Sequence, residues 1–276
     1  MGEGVRKIIA ALSVAINMFK NTYRILSSMS IQPKLVLTSM KGWPYFRRDL
    51  RELKKQLQNN PDFKIEILYP VLRERFETNG DLKNHYFHED LLVARRVFEN
   101  KPHKHVDVGS RVDGFVAHIA SFREIEVFDI RPQTAMVKNM RFVITDFMNV
   151  PLSLHDYTDS LSSLNVIEHF GLGRYGDPID VNGHLKGLEN MHKVLKSGGK
   201  FYLSTPIGPQ RIEFNAHRVF SMEYLLKILK PNYIVDFFSF VDDAGDLHEN
   251  VALSDERIKN NFGCRFGFGI FEMTKL

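Results

Sequence analysis

Two acids and a glycine offer the clearest chemistry in this chain. Asp107, Gly109 and Asp129 fall within His105 to Pro132, HVDVGSRVDGFVAHIASFREIEVFDIRP. The pattern predicts a short strand from His105 to Val108, a tight loop Gly109-Ser110-Arg111-Val112, a helix capped by Asp113 and running to about Ser121, and a second strand from Glu124 to Phe128 closed by Asp129. In such an α/β unit the loop N–H groups and the helix N-terminus face a ligand, and the acid closing the second strand can accept both hydroxyls of a ribose. A nucleotide-bearing ligand is the expectation. A second grouping, His85-Tyr86-Phe87-His88-Glu89-Asp90, opens the helix that leads into this unit, so its start is expected near the ligand pocket. Two histidines beside two acids could take a metal. Acids in a first helical turn are ordinary dipole partners, however, and no metal is assigned there.

The rest of the chain must position these groups. With 276 residues and 43% hydrophobic content, one large α/β domain with an extension is expected. The single cysteine, Cys264, excludes an internal disulfide and fits a reducing cytosol. Charge is unevenly spread. Residues 1–60 hold eleven Lys or Arg against three acids, a surplus of eight, so the remainder is net acidic by four. A basic extension of residues 1–80 on an acidic body of residues 81–276 implies an anionic partner for the extension: a membrane surface, an anionic glycan or another protein.

Ile8, Leu12, Ile16, Phe19, Tyr23 and Leu26 recur at helical spacing and predict an amphipathic helix. Packing on the body or on a second subunit is one use for residues 1–31, and peripheral attachment to the inner face of a membrane is the other. The longest apolar run, Ile8 to Ile16, is far short of the roughly 20 residues a spanning helix needs. No small-x-small cleavage site follows it, and Arg6 stands where a myristoylation signal wants Ser or Thr. A cytoplasmic protein is expected. A second helix is predicted after Trp43, with Pro44 at its first position and its end near Asn59-Asn60-Pro61; Phe63, Ile65, Ile67 and Tyr69 then alternate as in a strand.

The ligand follows from the loop. NAD enzymes want G-x-G-x-x-G, and here Arg111 stands where the second glycine should admit a pyrophosphate. Asp107-Val-Gly109-Ser110, Gly114, and Asp129 twenty-two positions after Asp107 instead resemble the first two motifs of class I S-adenosylmethionine (SAM) methyltransferases. Thr145-Asp146-Phe147 after a third strand, Asn165-Val-Ile-Glu168-His169 after a fourth, and Ser197-Gly198-Gly199 between a helix and a fifth strand are similar to later motifs of that superfamily, with Ser197 in place of a proline. Tyr233 to Phe240 and Gly269 to Thr274 fit its last two strands. The resemblance covers about residues 86–276. The phrases HYFHED, HFGLGRYGDPID and FNAHRVFS further resemble a branch found among bacterial surface-carbohydrate genes.

The resemblance implies a Rossmann-like α/β sheet with helices on both faces and an antiparallel last strand, SAM as cofactor, and a cofactor site at Asp107, Gly109, Ser110, Asp129, Ile130, Asp146, Phe147 and Leu164. Asp129 would take the ribose, Asp146 and Phe147 the adenine. It also implies a sugar, nucleotide-sugar or glycan acceptor of surface polysaccharide biosynthesis. A sugar hydroxyl is hardly ionised at neutral pH, so a base is wanted, and His169 is the first candidate, His217 the second. The loop after His169 carries Arg174, Tyr175, Asp177, Asp180 and His184, with Asn215 and Arg218 further on. Arg174 and Arg218 either grip a phosphate, carboxylate or diphosphate, or pair with Asp177 and Asp180. Asp177, Asp180 and His184 could hold a divalent metal, but turn chemistry explains them as well and metal dependence is not favoured. The net acidic body and the absence of Asn-Pro-Pro-Tyr argue against a nucleic-acid substrate. A non-carbohydrate small molecule, a protein nitrogen, and a non-catalytic scaffold remain rival readings.

Overall fold

The computed structural model describes residues 18, 22, 23, 25, 27, 32–58 and 62–276. The chain divides into two compact units, Met1–Gly80 and Asp81–Leu276. Most of the predicted amphipathic helix from Ile8 to Leu26, and the expected helix end at Asn59-Asn60-Pro61, lie outside the described residues.

In the first unit, helix α1 runs Pro33–Leu57 with a proline in its first turn. It starts well before the predicted Pro44, which is inside the helix. Pro44 removes only the N–H that would bond the carbonyl one turn back, and an exposed helix continues past that loss. Residues 62–72 make no strand. The alternation from Phe63 to Tyr69 therefore does not act as a strand: among the described residues it has no ladder partner, and its apolar side chains include Phe63 and Tyr69 at 77% and 83% exposure.

The second unit carries helix α2 (His85–Asn100), started by the Asn84 side chain accepting from the Tyr86 N–H, then β1 (His105–Val108), a wide turn (Val112–Val116), α3 (Ala117–Ala120), β2 (Ile125–Asp129), β3 (Met140–Ile144) and β4 (Thr158–Leu164). Then follow α4 (Gly183–Val194), β5 (Leu195–Ile207), a small hairpin of β6 (Arg211–Glu213) and β7 (His217–Val219), α5 (Met222–Leu229), β8 (Tyr233–Val241), β9 (Leu247–His248), α6 (Asp255–Lys259) and β10 (Gly267–Lys275). The main sheet has the order β3-β2-β1-β4-β5-β10-β8-β9. Strands β1 to β5 pair in parallel, and β10 enters antiparallel between β5 and β8. This is the Rossmann-like α/β sheet with an antiparallel last strand that the resemblance implied. One face packs on α2 and the Phe115–Ala120 segment, the other on α4 and α5.

Two local expectations change. Asp113 does not cap a helix: Gly114 has φ −123° and ψ −110°, which breaks the first turn, and Asp113 pairs instead with Arg111 at 3.0 Å. Gly114 must be small, because a Cβ there would meet the Asp90 carboxylate at 2.3 Å. Ser197-Gly198-Gly199 is not a turn between helix and strand; it is a bulge inside β5, where the register with β4 shifts between Thr158 and Ser160.

Candidate functional site

Beyond the carboxyl ends of the parallel strands lies a cleft of about 680 Å³. Its floor is the loop after β1. Gly109 has φ +70°, and a Cβ on it would sit 2.9 Å from a Val166 methyl, so only glycine fits the turn. Asp107 is fully buried behind this loop, where its carboxylate accepts the Ser110 N–H (2.9 Å), the Ser110 hydroxyl (2.6 Å) and the Ser162 hydroxyl (2.7 Å). Burial raises its pKa to about 6, against the pull of those donors. The Ser110 oxygen in turn accepts the Leu164 N–H at 3.0 Å. Gly109, Ser110 and Leu164 line the cleft; Asp107 shapes it from behind.

Asp129 closes β2 at the cleft wall. Its oxygens accept the Arg131 N–H at 2.8 Å and the Arg131 guanidinium at 2.9 and 2.6 Å. A carboxylate has about four lone-pair sites, so further hydroxyls can still be accepted. Arg131 lies 4.7 Å from the centre of the Tyr175 ring. An adjoining small lobe is lined by Ile130, Asp146, Phe147 and Met148. Asp146 accepts the Met148 N–H at 2.8 Å, and Phe147 packs edge-on against Phe128, supporting the lobe from the core.

The opposite wall begins at Asn165 (φ +57°), whose amide pairs with the buried Glu89, itself held by the Ser204 hydroxyl at 2.5 Å. Glu89 stays protonated well above the ordinary carboxylate range because it is wholly buried. Glu168 is buried beside Thr205 (3.4 Å), and burial pushes its pKa to about 8. His169 donates from Nδ1 to the Ala216 carbonyl at 2.7 Å, which leaves Nε2 as an acceptor 3.8 Å from Glu168. Burial first, and Arg174 second, lower its pKa to about 4. Both side chains are therefore neutral near pH 7.

His217 also borders the cleft, its ring 6.5 Å from that of His169; among the described residues its buried Nε2 has no hydrogen-bond partner, with the Glu213 carboxylate 3.7 Å away. Arg174 and Tyr175 line the same side. His85, Tyr86, Arg131, Glu168, Phe266 and Phe268 also line the cleft, without a role expected from their sequence context. The start of α2 lies near the pocket as expected, and Glu168 belongs to the Asn165–His169 segment. Nothing local marks Phe266 or Phe268, which arrive on the last strand and its approach.

Four expected substrate residues are placed elsewhere. Arg218 is 5% exposed and donates to the carbonyls of Phe170 (2.5 Å), Asp180 (3.3 Å) and Val181 (3.3 Å), so it clamps the loop and does not line the cleft. It pairs with neither the Asp177 nor the Asp180 carboxylate. Asp177 borders the small lobe, but its carboxylate accepts the N–H groups of Gly171, Gly173 and Tyr175. His184 bonds the Tyr224 hydroxyl at 2.7 Å, away from the cleft, and Asn215 is exposed on the hairpin loop. Asp180 pairs with Lys186 at 2.6 Å. The trio Asp177, Asp180 and His184 is thus engaged in separate bonds, and among the described residues no group of three His, Cys, Asp or Glu is arranged to hold a metal. Among the described residues no helix is long and apolar enough to cross a membrane.

A family model described as "Caenorhabditis protein of unknown function, DUF268" matches residues 119–262, just over half of the chain. The chain belongs to that family. Among curated proteins no relative matches. Solved structures it is similar to include the Burkholderia thailandensis 1,6-didemethyltoxoflavin-N1-methyltransferase with S-adenosylhomocysteine (SAH) bound, at 13% identity over 70% of this chain and 79% of that one, TM-score 0.48. Another is the Bradyrhizobium japonicum N-methyltransferase NodS with SAH, at 13% identity over 82% and 97% of the two chains, TM-score 0.47.

Proposed function

We propose that this member of the DUF268 family is a SAM-dependent methyltransferase acting on a hydroxyl of a sugar or glycan. The observation that carries the reading is one cleft bordered by the Gly109 loop and Asp129 on one side and by neutral His169 and Glu168 on the other. The residues present fit the cofactor. Gly109 leaves bare backbone at the floor, Asp129 retains acceptor capacity for a ribose diol, and Ile130, Asp146 and Phe147 frame a small lobe suited to a base. When bound, SAM supplies a methyl carbon that the acceptor oxygen takes as the carbon–sulfur bond breaks with its electron pair left on sulfur. The chain's own work is to align that oxygen and to take its proton. His169 Nε2 is the nitrogen left with a lone pair for that proton, because Nδ1 is committed to the Ala216 carbonyl. Glu168, kept neutral by burial, lends a forming imidazolium no negative charge until pH approaches its raised pKa. The basic unit of residues 1–80 is read as a contact for an anionic membrane surface or a second copy of the chain.

Calorimetry with SAH tests the cofactor half: the full chain binds, and Asp129→Ala weakens binding about tenfold or more through lost hydrogen bonds to a charged acceptor. No binding by the unaltered chain overturns the reading. Incubation with labelled SAM and a panel of nucleotide-sugars and oligosaccharides, read by mass spectrometry for one added methyl group, tests the acceptor half. Label appearing only in proteins or nucleic acids removes the sugar.

A further inference from the structure

Three guanidinium groups border the cleft, and two are neutralised within it. Arg111 is held by Asp113 at 3.0 Å and Arg131 by Asp129 at 2.6 Å. Arg174 is different. It donates to the Ala216 carbonyl at 2.9 Å and lies 5.2 Å from the centre of the Tyr175 ring, and among the described residues no carboxylate oxygen pairs with it within 4.0 Å. The remaining acid of the cleft, Glu168, is buried beside Thr205 and kept protonated by that burial. The cleft therefore holds one uncompensated cation on its exposed side.

That cation also acts on His169. Its Nη1 stands 3.5 Å from His169 Nδ1, and both groups donate to the same Ala216 carbonyl. Several groups face the imidazole: Glu168 on its own segment, Arg174, Tyr175 and Asp177 from the following loop, and His217 from β7. Of these, Arg174 contributes the largest charge effect against protonation, second only to burial, and His217 adds to it; Asp177 and the Ala216 carbonyl oppose it. At rest, His169 is poorly disposed to take a proton.

We propose that the acceptor carries an anionic group, a carboxylate or a phosphate, which pairs with Arg174, and that this pairing readies His169 to take the proton of the acceptor hydroxyl. The inference rests on the reading of His169 as the proton acceptor and adds the acceptor's class. An anion at Arg174 cancels the repulsion that the guanidinium exerts on a forming imidazolium, so the substrate's own charge raises the basicity of the group that must act on it. A neutral sugar fills the same space without that effect. Selection then operates on proton transfer as well as on binding, because only a charged acceptor switches the imidazole on. Tyr175 is the hinge of the arrangement: its ring lies under Arg174 on the acceptor side and under Arg131 on the cofactor side, and edge-on to His169.

The test follows the His169 ring by NMR in the full chain, with histidine carbon-labelled and SAH present, during titration with D-glucuronate, glucose 6-phosphate and glucose. Both anionic sugars are expected to bind about tenfold more tightly than glucose, the worth of one charge-assisted contact, and to move the His169 titration to higher pH. The stronger responder of the two distinguishes carboxylate from phosphate. Arg174→Gln is expected to abolish the preference and the His169 shift, and Arg174→Lys to keep a part of each. Equal binding of all three sugars, or an anion preference that survives Arg174→Gln, overturns the proposal. Calorimetry separates this from the cofactor reading: absence of SAH binding with the anion preference intact removes the methyltransferase and leaves the anion site, whereas SAH binding without the preference removes only the anion site.

Discussion

The loop after β1 and the loop after β4 border the same cleft but are held in opposite ways. The first is made largely by its own neighbours: Asp107 grips Ser110 three positions on, and Arg111 grips Asp113 two positions on. The second is made from a distance. Arg218 donates to the carbonyls of Glu168, Phe170, Asp180 and Val181, which precede it by 37 to 50 positions, and His169 is oriented by Ala216, 47 positions away. The wall proposed for the cofactor combines these short-range bonds with Ser162 and Leu164, whereas the wall proposed for the acceptor adds to its local Asp177 turn a clamp from the β6–β7 hairpin.

The harshest way to break this contrast is Arg218→Met. It removes the guanidinium that bonds the Phe170, Asp180 and Val181 carbonyls, and a stability loss of about 2–3 kcal/mol is expected in urea unfolding. If the two walls are separable, SAH binding by the fraction that stays folded falls far less than acceptor turnover does. Equal loss of both would join the walls into one unit.

Glu168→Gln sharpens the acceptor side through pH. Burial raises the Glu168 pKa from its ordinary 4.5 to about 8. Between those values the folded protein keeps a proton that the unfolded chain releases, so this group's stabilisation is complete below pH 4.5 and is lost as pH rises through 8, at up to about 1.4 kcal/mol per pH unit. The glutamine variant is expected to flatten that decline in thermal melts taken across the window. His169 has the opposite sign: lowered to about 4, it costs stability only as pH falls below the ordinary histidine value of 6.5 and through 4.

On the cofactor side, Gly109→Ala forces a side chain into φ +70° and against Val166. A loss of about 1–2 kcal/mol, with weaker SAH binding, is expected. Adding Val166→Ala is expected to recover the part due to the contact and leave the part due to the backbone, as read by melting and calorimetry of the single and double variants. The smallest effect belongs to His184→Phe. Its one bond, to Tyr224, is worth about 1 kcal/mol, and neither SAH binding nor acceptor turnover should change. A large drop in turnover would return His184 to the site.

Much of the sheet was legible because strand and loop are short-range matters. Apolar runs of strand length, the Gly109 turn and the acid closing β2 all express constraints within a few residues of themselves. The misreadings share one cause. Proline favours a helix's first turn, yet at Pro44 a single lost N–H does not stop an exposed helix. Phe63 to Tyr69 alternates like a strand but finds no edge to pair with among the described residues. Arg218 and His184 have the chemistry of ligand groups, and only their neighbours turned them into clamps.

By itself, then, the sequence determined the order of the strands' chemistry: Asp107 behind the glycine, Asp129 at the end of β2, and Glu168-His169 after β4, because residue type and spacing act along the chain. Tertiary structure decided which of the polar groups face the cleft and in what charge state. Burial is a property of everything packed around a residue. It kept Glu168 protonated and His169 neutral, withdrew Arg218 into the loop it supports, and left Arg174 without a carboxylate partner among the described residues.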